Sequence, residues 1–180
     1  MSLLNYIEKS ESYSFSNDDI QKICNGKVNI VMYHDLANYS DLMRLFKNCY
    51  PCVLLYETTQ YYQGHWICLL YHPKENLVEL FDSYGFAPDY DLKYCKFKTP
   101  YLSALIQNTK VKYNINFSYN TTCLQAEKNG VNTCGRWASI RAVFQQYNND
   151  QFNNLFTPKL SLNNPDEVIS LMTLLINLQH

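Results

Sequence analysis

Three side chains that lie far apart in the sequence, His65, Asp82 and Cys134, are of the types that perform nucleophilic catalysis together. A carboxylate that binds one imidazole nitrogen fixes the ring tautomer and supports the imidazolium, so the other nitrogen can take the proton of a thiol. The thiolate can then attack a carbonyl carbon and form a covalent intermediate. These residues suggest a base, its orienting acid and a nucleophile, provided that folding brings them together.

His65 and Asp82 stand at the two ends of a predicted β-hairpin, in which two apolar runs flank a polar turn. If the turn is centred between Pro73 and Lys74, His65 lies directly opposite Asp82, with the Cβ atoms about 4.5–5.5 Å apart. That separation allows a hydrogen bond between imidazole and carboxylate. The alternative is a strand-end ion pair without catalytic meaning, which is a common arrangement.

Cys134 lies where a helix is predicted to begin. Residues 134–147 are apolar on most faces, which predicts a central, buried helix. The N-terminus of a helix favours the thiolate form of a cysteine, and its free N–H groups can stabilise an oxyanion. We expect Gly135 to leave space beside the sulfur for a substrate carbonyl. A small buried cysteine at a helix start is the structural alternative.

The remaining pattern predicts an α+β fold, with a mainly antiparallel central sheet flanked by helices and the nucleophile at the N-terminus of the buried helix. Further strands are predicted over 28–33, 52–56 and 111–117, and further helices over 16–24, 40–47, 102–106 and 168–178. No repeat, linker or low-complexity segment interrupts the pattern. We therefore expect residues 1–180 to form a single domain.

Composition narrows the class of protein. The 180 residues carry 15 basic and 16 acidic side chains, so we expect no obligatory nucleic-acid partner. Apolar runs fall far short of the roughly 20 residues that span a bilayer, and charges near the N-terminus do not fit a secretory signal. Seven cysteines, an odd number, suit a reducing compartment. The expectation is a soluble intracellular protein without a membrane partner.

Other patterns indicate structure rather than chemistry. Cys49 and Cys52 form a Cys-x-x-Cys that follows a predicted helix, whereas the Cys-x-x-Cys of a redox motif stands at the start of a helix. A zinc site would need two further ligands, and the sequence has no second pair at a suitable spacing. We therefore expect no metal and no cofactor. His72 is expected at the surface. Arg136 and Arg141 lie on the helix that starts at Cys134, either as buried ion-pair partners or near acids of the site.

Short segments around the three candidate residues resemble the adenovirus maturation protease and the ubiquitin-like-protein-specific proteases of the same clan. The matching segments are His65-Trp66, Leu80-Phe81-Asp82-Ser83-Tyr84-Gly85-Phe86 and Thr133-Cys134-Gly135. In the adenovirus enzyme a His-Trp pair is followed at the same interval by an acid within a Phe-acid-x-x-Gly-Phe segment. The resemblance covers roughly residues 64–86 and 125–144. It implies a papain-like or adenain-like cysteine protease fold.

The resemblance also implies a role for each matching residue. His65 would be the base, Asp82 its orienting acid and Cys134 the nucleophile, while Trp66 would form an aromatic wall beside the small residues of a substrate. This chain order of histidine, acid and cysteine distinguishes the clan from papain-like and transglutaminase-like enzymes, which place the cysteine first.

The oxyanion-hole glutamine is the one departure from the family pattern. Relatives place it shortly before the cysteine, at positions that Glu127 and Lys128 hold in this chain. Gln125, slightly further upstream, is the predicted donor, because a Gly-containing loop can absorb extra residues. Asn129 or Asn132 could supply the amide instead.

The function that the resemblance implies is a cysteine endopeptidase that cleaves after small residues at Gly-rich sites. A viral maturation protease that processes capsid or other structural precursors is the leading hypothesis, as a monomer acting on polypeptides in the host cytoplasm or the virion. Three alternatives stay open: a deconjugating peptidase for ubiquitin-like modifiers, an effector-type acetyltransferase that needs acetyl-CoA, and a non-catalytic binding module. The peptide activator and DNA of the adenovirus enzyme cannot be carried over to this sequence.

Overall fold

A mixed five-stranded sheet forms the centre of the fold in the computed structural model, which describes residues 3–58, 64–156 and 164–177. The strands lie side by side in chain order: β1 (Asn29–Met32), β2 (Cys52–Glu57), β3 (Gly64–His72), β4 (Leu77–Phe81) and β5 (Asn116–Tyr119). The two central pairings are antiparallel and the two edge pairings are parallel. Antiparallel pairing is therefore confined to the centre of the sheet, and the parallel edges were not expected.

Helices cover both faces of the sheet. They are α1 (Leu3–Ser12), α2 (Asn17–Ile23), α3 (Tyr101–Tyr113), α4 (Cys134–Val143), α5 (Asn149–Asn153) and α6 (Pro165–Asn177). Short 3₁₀ segments occupy Tyr33–Asn38, Leu42–Leu45, Lys47–Cys49, Tyr90–Lys93 and Asn154–Phe156. Helix α4 packs on β3 with α2 and α6 behind it, and α3 lies with 3₁₀ segments on the opposite face. This is the predicted α+β class.

Alternating side chains of the central strands fill two separate cores. In β3, Trp66 and Cys68 face α4, whereas Ile67 and Leu69 face α3. Since successive residues of a strand point to opposite faces, a sheet covered on both sides has strands that are apolar throughout. Because both faces of the sheet are buried, we look for a site at the end of the sheet where β3 begins and β4 ends. No helix in the described ranges combines the length and apolar character needed to cross a membrane.

Capping hydrogen bonds mark the starts of two predicted helices, α2 within one residue of its predicted start and α6 three residues ahead of it. At the start of α2, the Asp19 N–H donates to the Ser16 hydroxyl and the Ser16 N–H donates back to the Asp19 carboxylate. At the start of α6, the Asp166 N–H donates to the Asn164 side chain at 3.0 Å. Leu178, the last residue of the helix predicted there, lies outside the described residues.

Three other predicted elements differ from the structure. The strand predicted over 111–117 is wrong in its first half, because α3 continues to Tyr113 and Val111 is a 76% exposed helix residue. The alternation of apolar and polar residues that suggested a strand arises, in this first half, from exposed side chains of the helix. The helix predicted over 40–47 is a pair of 3₁₀ segments that meet at Phe46. Helix α4 begins at Cys134 as predicted but ends at Val143.

Arg141, in the last turn of α4, forms a buried ion pair with Glu79 of β4. The guanidinium lies 3.2 Å from the Glu79 carboxylate and also donates to the Asn149 side chain. The same carboxylate accepts a hydrogen bond of 2.9 Å from His72, which is partly buried rather than at the surface as expected. Burial raises the pKa of Glu79, but the bonds from His72 and Asn149 and the charge of Arg141 outweigh it and hold that pKa below its usual value.

Replacing Arg141 with alanine should lower the free energy of unfolding by about 3–5 kcal/mol, because the Glu79 carboxylate would stay buried without its cation. Urea unfolding of Arg141→Ala beside the wild type measures this change. Arg141→Lys keeps the charge but loses the planar fork of donors, and it should fall between the two. A loss below about 1 kcal/mol for Arg141→Ala would show that the pair does not support the helix.

Candidate active site

The three predicted residues meet at one end of the sheet. His65 is the second residue of β3, Asp82 directly follows β4, and Cys134 is the first residue of α4. His65 and Cys134 line a cavity of about 530 Å³ that is open to solvent. A polypeptide segment could therefore reach the sulfur and the imidazole from the same side.

Asp82 holds the imidazole of His65 through a direct hydrogen bond. The distance from His65 Nε2 to Asp82 Oδ1 is 3.0 Å, and both side chains are largely buried. The carboxylate also accepts the backbone N–H of Tyr84 at 2.8 Å. Asn120 fixes the Asp82 backbone, since its side chain accepts from the Asp82 N–H and donates to the Asp82 carbonyl, each at 2.7 Å. The acid is thus rigidly placed.

The predicted hairpin register was wrong, although the two side chains do meet. The ladder pairs His72 with Leu77, so the turn lies one position further along the chain, and Asn76 takes its left-handed conformation at φ 48°. His65 is therefore not directly opposite Asp82. Moving the turn by one position changes the cross-strand partner of each residue by two positions, and a change of two keeps every side chain on its original face. For that reason the imidazole and the carboxylate still lie within hydrogen-bonding distance.

Cys134 is the second partner of the His65 ring. With Nε2 bound to Asp82, Nδ1 is the nitrogen left for the hydrogen bond with the Cys134 side chain. Burial opposes the charge and lowers the pKa of His65, but the attraction and hydrogen bond of Asp82, and then those of Cys134, outweigh it. The pKa of His65 therefore lies well above its ordinary value. The raised pKa favours the charged form of the ring beside the Cys134 side chain.

Gly135 serves the packing of α4 rather than the space for a substrate that the sequence led us to expect. A Cβ atom at this position would lie 2.6 Å from Phe15 Cβ and 3.2 Å from Trp66 Cδ1. The missing side chain lets these two aromatic residues approach the first turn of α4. The first turn of α4, which carries Cys134, is thus held in place by close packing against the core.

Trp66 lies in that core and not in the cavity wall where it was predicted. Its side chain is 5% exposed, and its indole N–H donates to the Phe15 carbonyl at 3.1 Å. Adjacent residues of a strand point to opposite faces, and Trp66 packs in the core beneath α4 while His65 faces Asp82. We correct the expected role from substrate contact to support of the helix that carries Cys134.

Gln125, the predicted oxyanion donor, lies in the wall of the cavity. Its side chain is 1% exposed, and its carbonyl oxygen accepts from the Ser83 hydroxyl at 2.7 Å. Its amide nitrogen donates to the Tyr84 hydroxyl at 2.9 Å and to the Val131 carbonyl at 3.4 Å. The amide is therefore oriented by contacts on both of its sides.

The two asparagines considered as alternatives to Gln125 differ in position. Asn129 and Asn132 both line the cavity, in the loop ahead of α4. The Asn132 amide, however, donates to the carbonyl of Ser12 at 2.9 Å, so it points towards the end of α1. Gln125 is the amide that the structure fixes most firmly in this wall.

Asp91 is a site residue that no sequence pattern indicated. It is 7% exposed, and its Oδ2 atom lies 3.8 Å from His65 Nε2. Burial raises the pKa of Asp91, and the nearby His65 charge lowers it while the Asp82 charge raises it. The ligand atoms of His65, Asp82 and Asp91 lie within 4.8 Å of one another, a spacing that would suit a metal ion. Because His65 and Asp82 already bind each other, we assign the cluster to charge stabilisation of the imidazolium.

Asp166, at the start of α6, joins both ends of the loop that precedes Cys134. One oxygen accepts the Ala126 N–H at 2.8 Å, and the other accepts the Trp137 indole N–H at 2.9 Å and the Thr133 hydroxyl. Asp166 is almost completely buried. This carboxylate therefore fixes the path of the chain between Gln125 and the nucleophile helix.

Replacing Asp166 with alanine should destabilise the protein by about 3–5 kcal/mol, because the buried donors of Thr133 and Trp137 and the partly buried N–H of Ala126 would lose their acceptor, at about 1–3 kcal/mol for each buried group. The free energy of unfolding in urea measures the effect. Asp166→Asn retains one acceptor oxygen and should lose less. Equal stability of Asp166→Ala and the wild type would contradict the assigned role.

Comparison with solved structures gives the class of fold. The crystal structure of ASFV pS273R protease superimposes with a TM-score of 0.54 and 15% identity, over 92% of this chain and 68% of that chain. A selenomethionine form of the same protease gives a TM-score of 0.54 and 13% identity, over 96% and 74% of the two chains. The chain therefore has the predicted papain-like or adenain-like cysteine protease fold.

Comparison with protein sequences gives the family. No family model matches the chain. The protein named "Uncharacterized protein V9" of Sputnik virophage is 33% identical over 184 residues, which cover 97% of this chain and 100% of that protein. The chain belongs to the same family as this virophage protein.

Proposed function

We propose that this protein is a cysteine endopeptidase with His65 as base, Asp82 as orienting acid and Cys134 as nucleophile. The observation that carries the proposal is the meeting of three side chains at an open cavity: the Asp82 carboxylate lies 3.0 Å from the His65 ring, and Cys134, a further partner of that ring, lines the same cavity as His65. The N-terminus of α4 adds free N–H groups beside the sulfur, where an oxyanion would form.

The geometry supports a two-step hydrolysis. The Cys134 thiolate attacks the peptide carbonyl and forms a C–S bond, and the His65 imidazolium gives its proton to the leaving amine as the C–N bond breaks. Neutral His65 then takes a proton from water, and the resulting hydroxide releases the acyl group from sulfur. Asp82 keeps the ring oriented and stabilises its charge throughout.

The proposed substrates are viral polypeptides, cleaved after small residues at Gly-rich sites. Membership in a family with a virophage protein and a fold shared with the ASFV pS273R protease support a viral protease. We propose that the enzyme processes capsid or other structural precursors, as a single-domain monomer in the host cytoplasm or the virion. The preference for small residues follows the resemblance of the His-Trp and Asp-x-x-Gly segments to the adenovirus enzyme.

Hydrolysis of Gly-Gly and Gly-Ala peptides by the wild type and by Cys134→Ala, with and without acetyl-CoA, tests the proposal. Cys49→Ala, which removes an exposed thiol outside the cavity, is the matched control and should cleave like the wild type. Cleavage by the wild type and the control alone supports the peptidase. Acylation that requires acetyl-CoA, cleavage of folded modifier fusions only, or equal inertness of all three proteins would each overturn it.

A further inference from the structure

Both hydrogens of the Gln125 amide are already engaged within the protein. The Val131 backbone carbonyl can only accept a hydrogen bond, so the group that faces it must be the amide nitrogen. The same nitrogen lies 2.9 Å from the Tyr84 hydroxyl. One N–H therefore points to Val131 and the other to Tyr84, and no amide hydrogen remains for a substrate oxygen.

The Tyr84 hydroxyl, in contrast, keeps a hydrogen to donate. Its oxygen accepts from Gln125, and the described residues contain no acceptor in hydrogen-bonding contact with its own hydrogen. Tyr84 lines the same cavity as Cys134, and its ring stacks on the His65 imidazole with the centroids 5.0 Å apart. Tyr84 thus belongs to the wall of the cavity that also holds the sulfur and its base.

We propose that the Tyr84 hydroxyl donates a hydrogen bond to the oxyanion that forms when Cys134 attacks a carbonyl. This inference rests on the proposed peptidase function and names a further catalytic residue for it. As the C–S bond forms, the carbonyl electron pair moves to oxygen and the Tyr84 hydrogen binds that oxygen without leaving the phenol. Gln125 is then a positioning residue that acts through Tyr84.

The surroundings of Tyr84 suit this role. Its backbone N–H is held by the Asp82 carboxylate, and Gly85 follows at φ 75°, a conformation that favours glycine. Burial, followed by the nearby Cys134 charge, raises the pKa of Tyr84, so its hydroxyl remains a donor at neutral pH. The bond that it accepts from Gln125 polarises the O–H and strengthens its donation, as in other hydrogen-bond chains.

The substitution Tyr84→Phe tests the donor, because it keeps the ring and removes only the oxygen. We expect kcat for a Gly-Gly peptide to fall by about 10²–10³-fold with little change in KM, the effect of losing one oxyanion donor. Binding of a peptide aldehyde, whose adduct with Cys134 carries an oxyanion, should weaken by a similar factor. Alkylation of Cys134 by iodoacetamide forms no oxyanion and should keep the wild-type rate, which also reports an intact site.

The matched control is Tyr90→Phe, an exposed tyrosine of the neighbouring 3₁₀ segment that does not line the cavity. Its kcat should stay at the wild-type value. If Gln125 donated directly to the oxyanion, Tyr84→Phe would release its N–H and kcat would be kept or raised, which would overturn the inference. Equal losses in alkylation and hydrolysis would also overturn it, by showing that Tyr84 acts only through His65. A wild type that cleaves no peptide would overturn the proposed function itself.

Discussion

Replacing His65 with alanine is expected to lower kcat/KM for a Gly-Gly peptide by about 10⁴-fold or more, because the residue is both the base for Cys134 and the acid for the leaving amine. Without the imidazolium, the sulfur keeps only the N-terminus of α4 as a source of positive potential. Steady-state hydrolysis of a fluorogenic peptide measures the loss, and the folded state of the variant can be checked by its unfolding in urea.

His34 offers a matched control for this substitution. Its imidazole also contacts a carboxylate, that of Glu57, but it does not line the cavity. The hydrolysis rate of His34→Ala should stay within about twofold of the wild type. If His65→Ala retained more than about a tenth of the wild-type activity, the assignment of the base would be wrong.

The second large effect is expected for Asp82→Asn, in the dependence of kcat/KM on pH. The pKa of His65 is raised despite burial because Asp82 stabilises the charged ring. Activity of the wild type should therefore persist above the ordinary histidine pKa of about 6.5 and fall only as pH rises through the raised value, where the imidazolium is lost. Removing the carboxylate charge should move this basic limb to lower pH and lower kcat by about 10²-fold.

Glu75→Gln provides the control for a change of charge alone, since Glu75 is exposed in the turn between β3 and β4. Its pH profile should match that of the wild type. Titration of the His65 ring by NMR gives the same comparison without turnover. An unchanged basic limb in Asp82→Asn would mean that Asp82 does not tune the imidazole.

Elements around the site could be predicted because their signals are local. The capping hydrogen bonds of Ser16 and Asp19 and the apolar run that starts at Cys134 each act over a few residues, and α2 and α4 begin within one residue of the predicted positions. The hairpin register failed because it depends on the left-handed conformation of Asn76, which the composition of the turn does not specify. The slip was by two positions, so the facing of His65 and Asp82 survived the error.

Contacts between distant segments account for what could not be predicted. Asp91 reaches His65 from a 3₁₀ segment after β4, and Asp166 reaches the loop ahead of Cys134 from the last helix. Neither stands at a recognisable spacing from its partner. Trp66 was misplaced for a related reason, since a resemblance in sequence does not show which face of β3 each residue occupies.

Site-resolved alkylation of the seven cysteines tests the central claim most directly. Limiting iodoacetamide would be applied about two pH units below the ordinary thiol pKa of about 8.5, and the labelled peptides would be quantified by mass spectrometry. Cys49 and Cys123 are exposed, whereas Cys134 is only partly exposed. If His65 holds the Cys134 side chain as a thiolate, Cys134 is labelled first in the wild type and loses this priority in His65→Ala. Labelling in the order of exposure, with Cys49 and Cys123 ahead of Cys134, would contradict the account.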